Sequence, residues 1–130
     1  MTKAYVRLAI AATAVLTLAM IARAADVPHL SGGVGSDERD ELRARERDYN
    51  LKVVTARTTG DYLSGVVIVI ESAAGERMLE TTTAGPILLA KLPPGSYTIN
   101  AAADGQTLSQ RVTVEAQGLK QVAFRWADRR

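Results

Sequence analysis

The residues that could carry catalysis are few. The chain has one histidine, His29, and no cysteine, so only one imidazole could act as a general base and no thiolate could act as a nucleophile. Serines such as Ser64 and Ser96 lie in contexts typical of turns. A Ser-His-Asp triad needs its three groups within hydrogen-bonding reach of one another. The pattern therefore argues against an enzyme, and we expect no catalytic residue.

Acidic residues and the histidine could bind a metal ion, but their spacing is not that of a known metal site. Asp26 and His29 have no further ligand at a regular spacing. The acidic residues within 37–41 lack the alternating pattern of a calcium loop, and an arginine lies between them. The stretch SGGVGS (31–36) lacks the lysine and the preceding strand of a phosphate-binding loop. We therefore expect no metal ion and no cofactor.

Two sets of residues could instead contact a partner. Sugars stack on exposed aromatic rings, and Tyr62, in a predicted loop, is the candidate for glycan binding. Arg39, Arg43 and Arg47 have the spacing i, i+4 and i+8, which aligns them on one face of a helix. Such a row could meet an acidic protein or a lipid head-group surface.

The first 24 residues have the composition of a secretory signal peptide. Two basic residues and no acidic one precede an apolar run at 8–21, and Ala22-Arg23-Ala24 is a cleavage pattern of small residues. The run is shorter than the roughly 20 residues that a helix needs to cross a bilayer. We expect cleavage between Ala24 and Ala25, a periplasmic or secreted protein and no membrane span afterwards. An uncleaved membrane anchor is the alternative.

Cleavage would change the charge of the protein. The chain carries 16 basic and 14 acidic residues, a net charge of +2. The signal peptide would remove Lys3, Arg7 and Arg23 and no acid, so that 13 basic and 14 acidic residues remain, a net charge of −1. Because nucleic-acid binding relies on excess positive charge, we expect no nucleic-acid partner.

Between the signal peptide and the main domain, the sequence predicts a tether and a short helix. Residues 25–35 have no periodicity and contain Pro, Gly and Ser, as flexible tethers do. Residues 36–50 predict a charged helix with Ser36 as its N-cap, acids in its first turn and arginines towards its end. Leu42 and Tyr49 are nearly its whole apolar stripe, so we expect the helix to need support from its surroundings.

Residues 51–126 predict an all-β domain. Short apolar and β-branched runs alternate with turn signals at the spacing typical of a sandwich, and Asp104-Gly105 is typical of a tight hairpin. We predict a seven-stranded Greek-key sandwich of the prealbumin or immunoglobulin type, followed by a polar tail at 127–130. The strands are predicted at 51–57, 65–72, 77–83, 87–92, 97–103, 106–114 and 120–126.

The stretch LPPGSYT (92–98) predicts a structural corner. Pro93 and Pro94 end the preceding strand, and Pro94-Gly95 fits the central positions of a type II turn. Tyr97 then enters the core side, where its hydroxyl can bond to nearby backbone as in a tyrosine corner.

The predicted strand at 65–72 is apolar on both of its faces. One face fills the sandwich, whereas Val67 and Val69 on the other face must be covered or remain exposed. Two arrangements stay open. Either the N-terminal helix packs over the two valines, or a partner contacts them.

Residues 51–126 also resemble the carboxypeptidase regulatory-like modules, which belong with the transthyretin-like and carbohydrate-binding-like β-sandwiches. The matching features are Gly65 at the start of the second strand, the break at 83–85, the LPPGSYTI corner, the Asp104-Gly105 hairpin and the late Val112-x-Val114. The resemblance implies an accessory module without chemistry of its own. We therefore expect a non-enzymatic module acting in protein interaction or envelope structure, with another envelope protein as its partner. A carbohydrate-binding module is the alternative.

Overall fold

Alternating apolar and polar residues build two facing sheets in the computed structural model, which describes residues 26–127. The predicted cleavage site at Ala24 and Ala25 lies outside these residues, as does the whole predicted signal peptide. A helix, α1 (Ser36–Arg45), is followed by a 3-10 turn at Glu46–Asp48. The strands are β1 His29–Gly32, β2 Leu51–Arg57, β3 Val67–Ser72, β4 Arg77–Thr82, β5 Ile87–Ala90, β6 Gly95–Ala103, β7 Gln106–Val114 and β8 Lys120–Trp126.

The two sheets have the strand orders β1-β5-β2-β8 and β4-β3-β6-β7, and they form a β-sandwich. β2 and β8 run parallel, and the other pairs within the described residues are antiparallel. The inward side chains of both sheets form one core, in which Phe124 and Trp126 from the first sheet are the largest fully buried residues. Their burial, like that of Ile68 and Ile70 in the second sheet, removes apolar surface from water, at about 1.5–3 kcal/mol for each large side chain.

Hydrogen bonds between the sheets tie the sandwich together at both sides. The Trp126 indole donates to the carbonyl of Gln106 at 3.1 Å, and the Gln110 amide donates to the carbonyl of Ala123 at 2.7 Å, so β7 is linked to β8. On the opposite side the backbone N–H of Val27 donates to the carbonyl of Met78 in β4. These bonds satisfy polar groups that the sheet edges would otherwise leave open.

The described residues form eight strands, so the prediction of seven was wrong. The additional strand, β1, lies in the stretch predicted as a flexible tether, and it pairs with β5 from His29 to Gly32. Its place depends on a close approach of two backbones, because a Cβ atom at Gly85 would lie 2.3 Å from the carbonyl oxygen of Gly32. A contact between residues so far apart leaves no periodic signal in the sequence.

The hairpin predicted at Asp104-Gly105 is confirmed and joins β6 to β7. Asp104 has a φ of 54° and Gly105 a φ of 75°, the positive values that a two-residue turn requires and that Asp-Gly adopts readily. Arg57 Nη2 lies 2.7 Å from the Asp104 carboxylate, so the turn is also held to the end of β2.

The predicted helix is shorter than 36–50, and its predicted cap was wrong. The N-cap is Gly35 rather than Ser36, and no side chain caps the helix there. Instead the Glu38 carboxylate accepts hydrogen bonds from the N–H groups of Gly33 and Val34, at 2.8 and 2.9 Å. In the part of the chain that the structure describes, no helix is long and apolar enough to cross a membrane.

Candidate interaction surfaces

Helix α1 covers the outer face of the first sheet. Leu89 of β5 is fully buried although it lies outside the main core cluster, and its neighbours in register are Leu30 and Lys52. Leu42, the buried residue of α1, lines a small cavity together with Leu30. Lys52 Nζ lies 2.7 Å from the carboxylate of Glu46 in the 3-10 turn, so this turn is also anchored to the first sheet.

Val67 and Val69 lie on the outer face of the second sheet, away from α1. The arrangement in which the helix packs over these valines is therefore wrong. Val67 is 38% exposed, and Val69 is half-buried among its neighbours Glu80 and Asn100. We call the outer face of β4, β3, β6 and β7 the open face. At its upper end, next to the β6–β7 hairpin, it presents the two valines, with Ala102 beside Val67 in register, within a surface that is otherwise largely polar.

Arg39 and Tyr62, expected in two different binding sites, lie together. The Arg39 guanidinium is 5.9 Å from the centre of the Tyr62 ring, within the range of a cation–π interaction. Arg39 also donates to the carbonyls of Gly33 and Val34, at 3.1 and 3.3 Å. Tyr62 remains 59% exposed, but Arg39 occupies one face of the ring, which leaves the other face for a sugar to stack on.

The expected row of three arginines on one helix face is broken up. Arg39 is engaged as described above, and Arg43 contacts the Asp40 carboxylate at 3.3 Å, with both side chains largely exposed. Arg47 lies in the 3-10 turn beyond the end of α1, where the spacing of an α-helix no longer applies. Arg39 and Arg43 lie on one face of α1, and Arg43 and Arg47 are exposed, but Arg47 does not extend that face as an α-helix would.

The corner lies at the start of β6, but the predicted type II turn was wrong, because Gly95 is already in the strand and its φ of 157° is far from the value of about 80° that such a turn needs. The Tyr97 hydroxyl donates to the carbonyl of Pro93, and the ring is nearly buried. Burial raises the pKa of the Tyr97 hydroxyl, and the negative charge of Glu76 raises it further. Pro94 is exposed and Gly95 is the first residue of β6. These groups stabilise the corner by hydrogen bonding and packing.

Asn50 is a structural residue that sequence reasoning missed. Its amide donates to the carbonyls of Leu92 and Glu115, and its oxygen accepts from the N–H of Leu92. The side chain thus joins the start of β2 to the connections on either side of β6 and β7. Its only signal in the sequence is a polar residue directly before a strand, and that pattern is too common to be informative.

A polar groove with two cations was also missed. Arg111 on β7 and Lys120 at the start of β8 line it, and neither forms an ion pair within residues 26–127. We call it the basic groove. Its volume is about 570 Å³. It is lined by Ser72, Ala73, Ser96, Tyr97, Thr98, Arg111, Val112, Thr113 and Lys120.

The basic groove lies at the lower end of the open face, next to the start of β6 and the end of β7. The β6–β7 register places Thr98 opposite Arg111 and Ser96 opposite Thr113, so these four side chains share the outer face. The groove and the two valines are therefore parts of one surface. The cations lie nine residues apart along the chain, on separate strands.

Within residues 26–127, no three His, Asp or Glu side chains lie together as metal ligands would. His29 is exposed, and its Nδ1 lies 2.9 Å from the carbonyl of Val27. No protein-family model matches the chain, and no curated protein matches it.

Proposed function

We propose that this protein is a non-enzymatic β-sandwich module that binds another protein of the cell envelope through the upper end of the open face. One observation carries the proposal. Val67 and Val69 present apolar surface there, while the helix that could have covered them packs on the opposite sheet. An apolar patch with a polar rim is typical of a protein interaction site.

The proposed location outside the cytoplasm is supported by the signal-peptide pattern of residues 1–24. It predicts that the exported protein begins at Ala25, which intact-mass spectrometry of the protein from its own cells would measure. Full-length protein beginning at Met1 in the cytoplasmic fraction would contradict this location.

The two-sheet architecture and the corner at Tyr97 support a further part of the proposal, which is kinship with the carboxypeptidase regulatory-like modules and their prealbumin-like sandwich. Such a module acts by presenting a surface to a partner.

Affinity capture from an envelope extract tests the proposed interaction. The bait is the full chain, compared with Val67→Lys and with a control, Val34→Lys, at an exposed valine in the loop before α1. We expect one protein to be retained by the wild type and the control but lost with Val67→Lys, because a charge in the apolar patch must be desolvated on binding. Retention of the same proteins by all three baits, or of none by the wild type, would overturn the proposal.

Binding of a neutral glycan at Tyr62 is a second proposal, supported by the 59% exposure of that side chain. Tyr62→Ala should abolish binding in a glycan screen, whereas Tyr49→Ala should not. Glycan binding that survives Tyr62→Ala would place the site elsewhere.

A further inference from the structure

We propose that the basic groove binds the carboxylate groups of an acidic oligosaccharide, such as a short chain of uronic-acid units. This activity goes beyond the protein interaction proposed above, and it stands or falls independently of it. The groove lies at the opposite end of the open face from Val67.

The lining of the groove favours a hydrophilic, anionic ligand. Hydroxyl groups from Ser72, Ser96, Thr98 and Thr113 line it together with the two cations. Sites for small apolar ligands have similar volumes but are lined mostly by hydrophobic side chains. A sugar carries many hydroxyl groups that can exchange hydrogen bonds with such a lining, and a carboxylate on the sugar can accept charge-assisted bonds from Arg and Lys.

The shape of the groove favours an oligomer over a single small ion. A second cavity of about 220 Å³ continues from it beneath the connection between β7 and β8, and the two cavities share Thr113 and Lys120. Lys120 lies where the two cavities meet, and Arg111 lines the first cavity. A ligand of more than one sugar unit, with its carboxylates at these two cations, fits this arrangement better than a single small ion does.

The two cations are available to a ligand. Three acids lie near them by register and sequence: Glu71, which pairs with Thr98 across β3 and β6, Glu76 in the following turn, and Glu115, which lines the second cavity. None of the three forms an ion pair with Arg111 or Lys120. Glu76 is close enough to Tyr97 for its charge to help raise the pKa of the Tyr97 hydroxyl, so it also opposes an anion in the groove.

A peptide ligand is disfavoured by the same lining. Protein partners usually anchor through large apolar or aromatic side chains that fill buried pockets. The apolar members of the lining are Ala73, Val112 and Tyr97, and of these Val112 and Tyr97 are buried and point into the core. The groove therefore offers hydrogen bonds and charge to a ligand, and little apolar surface.

Isothermal titration of the full chain with tetragalacturonate tests the proposal. The variants are Arg111→Gln and Lys120→Gln, with Arg125→Gln as the control, since Arg125 is an exposed arginine of β8 on the outer face of the first sheet. The comparison ligands are neutral maltotetraose and a tetraglutamate peptide. Because the replaced side chains are exposed, we expect the variants to have equal melting temperatures. Equal values show that the fold is intact.

We expect tetragalacturonate to bind and maltotetraose not to bind. Arg111→Gln and Lys120→Gln should each weaken binding about tenfold or more, as for the loss of one charge-assisted hydrogen bond, while Arg125→Gln changes it less than about twofold. Glu76→Gln should strengthen binding. Absence of binding, equal loss with Arg125→Gln, or tetraglutamate binding as tightly as tetragalacturonate would each overturn the proposal.

Discussion

Asn50 joins three segments of the sandwich, so replacing it should destabilise the fold more than a change at a surface polar residue. Its Nδ2 donates to the carbonyl of Leu92 at 2.8 Å and to that of Glu115 at 3.1 Å, and its Oδ1 accepts from the Leu92 N–H at 2.9 Å. Asn50 and Leu92 are only 3% and 2% exposed. Water therefore cannot replace the two bonds to Leu92.

The magnitude follows from these partners. In Asn50→Ala, the buried N–H and carbonyl of Leu92 lose their bonds to the side chain, whereas Glu115 is exposed and can bond to water. Each buried group left without a partner costs about 1–3 kcal/mol. We expect the free energy of unfolding to fall by about 2–4 kcal/mol, which for a domain of this size lowers Tm by about 10–20 °C.

Asn50→Asp tests the geometry more sharply, because the side chains have the same shape. A carboxylate oxygen would face the carbonyls of Leu92 and Glu115, so the charged form is disfavoured and the pKa in the folded protein rises above that of the unfolded chain. The acid is neutral in both states below the unfolded value of about 3.9. Relative to the wild type, Asn50→Asp is therefore most stable below that pH, and its stability falls as the pH rises through the folded pKa.

Urea denaturation followed by the fluorescence of Trp126, the only tryptophan of the chain and fully buried, measures both effects. Asn100→Asp, on the open face, is the control, and its stability should vary little with pH. A loss below about 0.5 kcal/mol in Asn50→Ala, the size of an ordinary surface change, would refute the reasoning. So would a penalty in Asn50→Asp that does not vary with pH.

Three further predictions follow from single contacts. Gly85→Ala should lower Tm and expose β1 to hydrogen exchange, because its methyl group would overlap the backbone of Gly32. Gly35→Ala is the control, since a Cβ there has no atom within 4 Å and Tm should change little. Equal effects of the two substitutions would contradict the close approach of Gly85 and Gly32. Tyr97→Phe should cost about 1 kcal/mol through one lost hydrogen bond. It should also remove part of the fall in stability above pH 10, since the raised pKa of the Tyr97 hydroxyl gives stability that is lost as the pH rises; parallel pH profiles would count against this. The N–H groups of Val34 and Gly33 hold the pKa of the Glu38 carboxyl below 4.5. The stability that Glu38 contributes is therefore present above that pH and lost as the pH falls. Glu38→Gln should flatten the acid limb of the stability profile measured by urea denaturation.

Much of the sandwich could be predicted from local patterns. β2, β7 and β8 have the bounds that the sequence predicts, because their apolar residues alternate with polar ones and turn signals flank them. The Asp104-Gly105 hairpin was equally predictable, since few residues accept positive φ at both central positions. Local chemistry determines these features.

The remaining features depend on contacts between distant parts of the chain. β1 exists because Gly85 lets the backbone of Gly32 approach, and no pattern within residues 25–35 reports that. Arg39 was predicted on a binding face, but the fold of the loop before α1 turns it towards Tyr62. The basic groove is formed only when β7 and β8 bring Arg111 and Lys120 to one surface.

Photo-crosslinking at Val67 is the most direct test of the central claim that the open face binds a protein partner. A photoreactive amino acid replaces Val67 in the full chain, expressed in the cells from which the protein comes, and a second strain carries it at Val34 as the control. We predict one discrete heavier adduct at Val67 that is absent at Val34, and mass spectrometry would identify the attached protein. Efficient photolysis at both positions without an adduct specific to Val67 would contradict the account.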